Sequence, residues 1–336
     1  MKAVICNEPF DLRVIERAEP EVAAGDVLVR IRRVGVCGTD YHIYGGNQPY
    51  LSYPRVMGHE LAGEVARAPA GSRFAVGQVV TINPYLPCGT CIACRRAKPN
   101  CCVAIRVLGV HIDGGMCDFL SVPEAAVIDA TGLTLDQAAM VEFLAIGGHA
   151  VARADVSPGD RTLVVGAGPI GVATALFAQA DGGEVMLIDT RAARLAYARD
   201  HVGIASVAQV SPAILDTMRA HTGGDMFDRV FDATGNVRAM RAGLDYLAHG
   251  GVYTLISVVK DDIAFADPEF HKRETTLLAS RNALSADFAR VIAAIKDGSI
   301  PTHALQTHNL AAEQLPQLFP ELIAGADDVL KAIVSF

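Results

Sequence analysis

Apolar and polar residues alternate with a period of two through residues 1 to about 35, the mark of strands with one covered face. The clearest run is Val27-Leu28-Val29-Arg30-Ile31-Arg32, entered through a Gly25-Asp26 turn. A second turn at Gly114-Gly115 leads into a strand ending near Val122. Over 133–154 the spacing becomes helical, with Leu135, Ala138, Ala139 and Val141, then Ile146, His149 and Val151. A turn at Ser157-Pro158-Gly159-Asp160 changes the pattern again. Short apolar runs at Thr162–Val165, Glu184–Ile188, Arg229–Asp232 and Gly250–Ser257 now alternate with helical segments, the first reaching about Ala180. That alternation predicts a parallel, doubly wound sheet. From about residue 283 the chain rejoins the first domain, with helices near 285–297 and 311–324 and a last strand, Ala332–Phe336. The expectation is an α/β protein: a β-rich domain of residues 1–150 and 283–336, interrupted by a parallel-sheet domain of residues 151–282.

Composition narrows the class. The chain has 336 residues, 51% hydrophobic and 20% charged, enough for two domains with full cores. Net charge is −8 without a basic block, which argues against nucleic acid as a partner. The start, Met1-Lys2-Ala3-Val4-Ile5-Cys6, lacks the apolar core of a signal peptide. No apolar run reaches the ~18 residues of a membrane span. A cytoplasmic protein is expected, in which clustered cysteines point to metal rather than to disulfides.

Four of the eight cysteines lie close together at Cys88, Cys91, Cys94 and Cys102, around Pro87, Gly89, Lys98, Pro99 and Asn100. Four thiolates at this spacing suit one tetrahedral zinc ion with no open position, hence a structural site. Cys101 competes with Cys102 as the fourth ligand. The segment has no apolar period, so metal rather than a core would tie it down.

In the second domain, Thr162–Val165 runs directly into Gly166-Ala167-Gly168-Pro169-Ile170-Gly171 and a helix. A strand before and a helix after are the context that gives this glycine pattern its meaning as a dinucleotide-binding turn. The first glycine turns the chain, the second admits the pyrophosphate, and the third lets helix and sheet close. Asp189, at the end of the next strand, accepts from ribose hydroxyls and repels a 2′-phosphate. NAD is expected over NADP, while Arg191 and Arg194 leave dual use open.

Gly35-Val36-Cys37-Gly38-Thr39-Asp40-Tyr41-His42 is followed by Gly58-His59-Glu60. A thiolate, an imidazole and a carboxylate are donors of a catalytic zinc site, although on the local spacing alone a single Cys and a single His in a β-rich domain are more often core residues. Taken with Pro54-Arg55-Val56-Met57-Gly58-His59-Glu60 and the four-cysteine lobe, the sequence resembles the zinc-dependent medium-chain dehydrogenase/reductase family essentially end to end. That family includes alcohol, sorbitol, idonate and threonine dehydrogenases. The resemblance implies a GroES-like catalytic domain, a Rossmann domain, and two zinc ions per chain. It implies Cys37 and His59 as catalytic-zinc ligands. Met140-Val141-Glu142-Phe143 resembles the polyol form and implies Glu142 as third ligand, directly or through water. Glu60 is the other carboxylate able to approach, and which of the two binds is left open. Phe143 departs from the family, which usually has Pro there.

The remaining roles also follow from the resemblance. Thr39 would place a hydroxyl next to the substrate oxygen, and His42 would be the terminal proton acceptor, a task suited to imidazole. Zinc would lower the pKa of the bound hydroxyl. Thr234 to Asn236 and Ser257-Val258 would flank the nicotinamide, with Ser280, Arg281 and Asn282 near the cofactor and the active cleft. An arginine there suits a substrate carboxylate. Tyr41, Tyr44, Gln48, Tyr50, Leu51 and Tyr53 form a candidate wall of the substrate pocket. The expected activity is NAD-linked oxidation of a secondary alcohol in a polyol, sugar or aldonic acid. The alternatives are an NAD(P)H-dependent reductase of small aldehydes or ketones and a non-catalytic dinucleotide-binding regulator. A homodimer or homotetramer is expected.

Overall fold

In the computed structural model the strand Asp26–Val36 is the spine of a seven-stranded, mostly antiparallel sheet. The structure describes residues 1–48, 51–325 and 328–336. Val27, Val29, Ile31 and Val34 are buried in one cluster with Leu61, Val65, Val80 and Ile82 of the neighbouring strands. Each such side chain contributes ~1.5–3 kcal/mol on burial. The spine pairs antiparallel with Glu60–Arg67, with Phe119–Pro123, and with the C-terminal strand Lys331–Ser335. The register sets Gly35 opposite Glu60 and Val36 opposite Ala332. The end of the chain is thereby laid beside the segments that carry Cys37 and His59.

Contacts divide the chain into two units, Met1–Phe143 with Ala283–Phe336, and Leu144–Asn282. The first division falls earlier than the expected 150/151. The cause is that Val141–Ala154 is one continuous helix whose later turns pack in the second unit, with Gly147 against Ala173 and Thr174 and Gly148 beside Phe177. The helical stretch expected over 133–154 is in fact two helices, Leu135–Ala139 and Val141–Ala154. Thr134 caps the first: Gln137 N–H donates to its hydroxyl and Gln137 Oε1 accepts from its N–H. The break at Met140 restarts the helix so that Glu142 lies in a first turn, where the helix dipole favours a carboxylate.

The second unit holds a six-stranded, all-parallel sheet. Its order is Ser206–Gln209, Glu184–Asp189, Arg161–Val165, Phe227–Asp232, Leu247–Leu255, Thr276–Ala279. Numbered within the unit this is 3-2-1-4-5-6, the order of a dinucleotide-binding sheet. Its reversal point lies between Arg161–Val165 and Phe227–Asp232. Leu163, Val165, Met186, Ile188, Phe227 and Val230 form the core on it.

Several strands escape the sequence pattern, among them Glu60–Arg67, Val79–Ile82 and Val127–Asp129 of the first unit's sheet and three further strands at sheet edges. Gln306–Ala311 ends the first unit's sheet and Ser206–Gln209 and Thr276–Ala279 end the second's, each having a partner on one side only. No helix among the described residues is long and apolar enough to cross a membrane.

Candidate functional site

Cys37 ends the spine strand and precedes the helix Gly38–Tyr44. Its N–H donates to Asp40 Oδ2 at 2.9 Å. His59 immediately precedes the strand Glu60–Arg67, which Glu60 opens, and Cys37, His59 and Glu60 bring one donor atom each within 4.8 Å of one another. His59 Nδ1 stands 4.0 Å from Asp40 Oδ1, and both atoms are buried without a hydrogen-bond partner. Burial alone would lower the His59 pKa, but the charges of Cys37, Asp40 and Glu142 and a hydrogen bond with Cys37 hold it well above the usual value. The pocket thus concentrates negative charge around an imidazole. A soft, borderline divalent cation such as zinc neutralises such a set and matches its N, S and O donors, so the residues fit the metal.

Two buried carboxylates flank the imidazole, and each has its own partner. Lys331 Nζ lies 2.7 Å from both oxygens of Glu60 and donates to Val36 O at 3.1 Å. The Phe143 ring covers the same ammonium at 4.4 Å from its centroid. Burial works against the charged lysine, yet Glu60 and Cys37 outweigh it and hold the pKa above the ordinary value. Gly35 makes room for Glu60, since a Cβ there would stand 2.0 Å from Glu60 Oε2. Glu142 is 3% exposed and lies outside the Cys37–His59–Glu60 grouping; its Oε1 accepts from the Tyr85 hydroxyl. Burial raises the Glu142 pKa to about 7 against the opposing pull of His59.

Asp40, Tyr85 and Lys331 were missed by sequence reasoning. Lys331 had a signal, being the only charge in the apolar run Val329-Leu330-Lys331-Ala332-Ile333-Val334. Asp40 had one in its place three residues after Cys37, where a carboxylate caps a helix start. Nothing in Asn83-Pro84-Tyr85-Leu86 marks Tyr85.

Thr39 is half-buried in the helix after Cys37, and His42 is exposed in its last turn. The tyrosine stretch has largely packing duties. Tyr41 and Tyr44 meet Phe319 edge-on at 5.4 and 5.2 Å, and Tyr53 donates to Ile43 O. Gln48 and Leu51 are half-buried; Tyr50 lies outside the described residues.

In the lobe, Cys88, Cys91, Cys94 and Cys102 bring their sulfurs within 4.8 Å of one another. Cys91 Sγ is 3.5 Å from Cys94 Sγ and 3.9 Å from Cys102 Sγ. Tetrahedral thiolates ~2.3 Å from zinc stand about 3.8 Å apart, so the set fits the ion and is too open for disulfides. Backbone N–H groups of Thr90 and Cys91 draw the Cys88 pKa down to about 6, towards the ligand form. Cys101 is exposed and outside the cluster, and Cys102 brings the fourth sulfur within reach.

In the second unit, Gly166–Gly171 joins Arg161–Val165 to the helix Pro169–Ala180, with Gly168 at its N-cap and Pro169 at its first position. Gly166 has φ +104°, and a Cβ on Gly171 would lie 1.7 Å from Gly166 O, so no side chain fits there. The free N–H groups of this turn, Ile170 among them, suit a pyrophosphate. Asp189 Oδ2 accepts from Ala167 N–H at 2.7 Å and Oδ1 from Arg191 N–H at 2.8 Å. Arg194 reaches over Gly168, its guanidinium 3.5 Å from where a Cβ would stand. Thr234 packs on Gly166 and donates to Asp232 Oδ1, and Ser257 lies beside Gly235. Val258 and Arg281 are exposed; Ser280 is buried, its N–H donating to Leu255 O at 2.8 Å.

Comparison with known proteins agrees with this geometry. Residues 23–132 match the alcohol dehydrogenase GroES-like domain, and residues 169–297 the zinc-binding dehydrogenase domain. The chain is 40% identical to L-galactonate-5-dehydrogenase of Escherichia coli K12 over 100% of this chain and 99% of that protein. It is 29% identical to 2-dehydro-3-deoxy-L-galactonate 5-dehydrogenase of Pseudoalteromonas atlantica, over 88% and 87%. A short chain alcohol dehydrogenase (rspB) of E. coli CFT073, solved with NADH, superposes with a TM-score of 0.93 at 27% identity, over 100% and 99% of the two chains.

Proposed function

The chain belongs to the zinc-dependent medium-chain dehydrogenase/reductase family, and on that premise we propose that it oxidises a secondary alcohol of a sugar acid or polyol, with NAD accepting the hydride. The observation that carries the proposal is the meeting of a half-buried thiol with a buried imidazole and carboxylate at Cys37, His59 and Glu60. Zinc held there supplies a Lewis acid that lowers the pKa of a substrate hydroxyl. Cys37 and His59 hold the ion, and Glu142 or Glu60 adds a carboxylate. Asp40 Oδ1, 4.0 Å from His59 Nδ1, sets a carboxylate behind the ring, the side from which such groups support metal-bound histidines. The Thr39 hydroxyl receives the substrate proton, and exposed His42 releases it to solvent. Gly166, Gly168, Pro169, Ile170 and Gly171 hold the pyrophosphate, Asp189 the ribose, and Arg194, Thr234, Ser257, Val258 and Ser280 line the rest of the dinucleotide.

Support for a sugar acid comes from the two curated relatives, both named for galactonate derivatives. Arg281 is the cation proposed to meet the carboxylate. The exposed edge strand Thr276–Ala279, with Leu277 40% exposed, supports a homodimer formed by pairing two copies, with a tetramer as the larger assembly. A panel of polyols and aldonates with NAD tests the activity. Turnover should appear on a sugar acid or polyol, vanish in Cys37→Ser and His59→Ala, and leave NAD binding near the parent's. Turnover retained in either variant, or none across the panel, overturns the reading.

A further inference from the structure

The four-cysteine lobe and the Cys37–His59 pocket are separate in sequence, yet one residue belongs to both. Tyr85 lies on the two-residue strand Tyr85–Leu86, which pairs antiparallel with Arg106–Val107. These two strands are the base of the lobe: Cys88 follows one and Cys102 precedes the other. The base is further fixed by Leu108 N–H donating to Pro84 O at 3.1 Å and by Asn83 Oδ1 accepting from Tyr85 N–H at 3.0 Å. From this base the Tyr85 side chain, 8% exposed, reaches Glu142 Oε1.

We propose that Tyr85 is a positioning residue that couples the lobe to the catalytic metal through Glu142. The inference rests on Glu142 being a ligand of that metal, directly or through water. A buried phenol needs a polar partner, and this one engages a single carboxylate oxygen, leaving Oε2 outside that bond. The hydrogen bond fixes the Glu142 rotamer. Glu60, in contrast, has both oxygens engaged by Lys331, whereas the Tyr85 bond occupies one oxygen of Glu142. Metal bound in the lobe locks the strand pair, the strand pair holds Tyr85, and Tyr85 holds Glu142. The lobe thereby acts as a support for the active site as well as a tether for its own loop.

The test is catalytic-site zinc affinity, measured by competition with a graded chelator on otherwise intact protein. Tyr85→Phe keeps the ring and removes the donor. It should weaken the catalytic ion by about tenfold or more, the scale of lost partners behind metal ligands, while the lobe keeps its zinc. Cys91→Ser, which empties the lobe, should weaken the catalytic ion similarly, and adding Tyr85→Phe should cause little further loss. Glu142→Gln separates the two layers. If Glu142→Gln weakens the ion but Tyr85→Phe leaves it within twofold, the coupling is wrong and the ligand assignment stands. If Glu142→Gln itself changes nothing, the underlying assignment fails. Losses from Cys91→Ser and Tyr85→Phe that multiply also overturn the coupling.

Discussion

Replacing Lys331 by methionine should destabilise the metal-free protein far more than the metal-loaded one. Lys331 is 1% exposed; its ammonium meets both Glu60 oxygens at 2.7 Å, Val36 O at 3.1 Å and the Phe143 face at 4.4 Å. Methionine preserves most of the stem's volume and removes all four contacts. The Glu60 carboxylate is then left buried beside the Cys37 thiol without its lysine partner. Breaking a buried pair by deleting one partner costs about 3–5 kcal/mol, which in a unit of this size lowers Tm by on the order of 10 °C. Zinc at Cys37 and His59 restores a nearby positive charge, so the penalty should shrink to roughly half or less in the loaded protein. Urea unfolding of both states, run as a cycle with Glu60→Gln and the double variant, measures the pair directly. The double variant should recover most of the loss. Metal-free Lys331→Met protein within about 1 kcal/mol of the parent, or an equal loss with and without zinc, would refute the reasoning.

Gly35→Ala should strain the same pocket from the other side, because the new Cβ would stand 2.0 Å from Glu60 Oε2 and 2.9 Å from Glu60 Cβ. A loss of about 1–3 kcal/mol and reduced zinc retention are expected by urea titration and metal analysis. Gly38→Ala, with nothing within 4 Å and no positive φ, serves as the stability control. Thiol labelling should follow ionisation and exposure. Burial pushes the Cys6 thiol up to about 11 and Cys117 up to about 12, so the neutral, unreactive form persists at pH 8 and thiolate appears only as pH approaches those values. In zinc-loaded protein at pH 8, mass spectrometry should therefore find alkylation at exposed Cys101 and none at Cys6 or Cys117.

Much of the fold was legible because burial writes a period into the chain. Val27–Arg32 alternates as an exposed-face strand must, and Thr162–Val165 ahead of the glycine turn is apolar because a parallel sheet covers both its faces. Gln306-Thr307-His308-Asn309 carries no such period, since an edge strand is held by its ladder rather than by its side chains. The site divides in the same way. Cys37, His59 and the four clustered cysteines have chemistry that their residue type announces. Tyr85, Asp40 and Lys331 act on those residues across 57, 19 and 271 positions of sequence (on Glu142, His59 and Glu60, respectively), and no local pattern records such partners.

The late arrival of Lys331 has a consequence for how the molecule is made. Glu60 leaves the ribosome 271 residues before its counter-ion, an interval of about 15–50 s at ordinary rates of synthesis. Throughout that time the first unit lacks the strand that flanks its spine, and its buried anion must stay hydrated or borrow another cation. The interrupting unit, contiguous from Leu144 to Asn282, has no such wait. The inserted piece can therefore finish while its host is still open, and a metal ion reaching the nascent pocket would offset the Glu60 charge before Lys331 arrives.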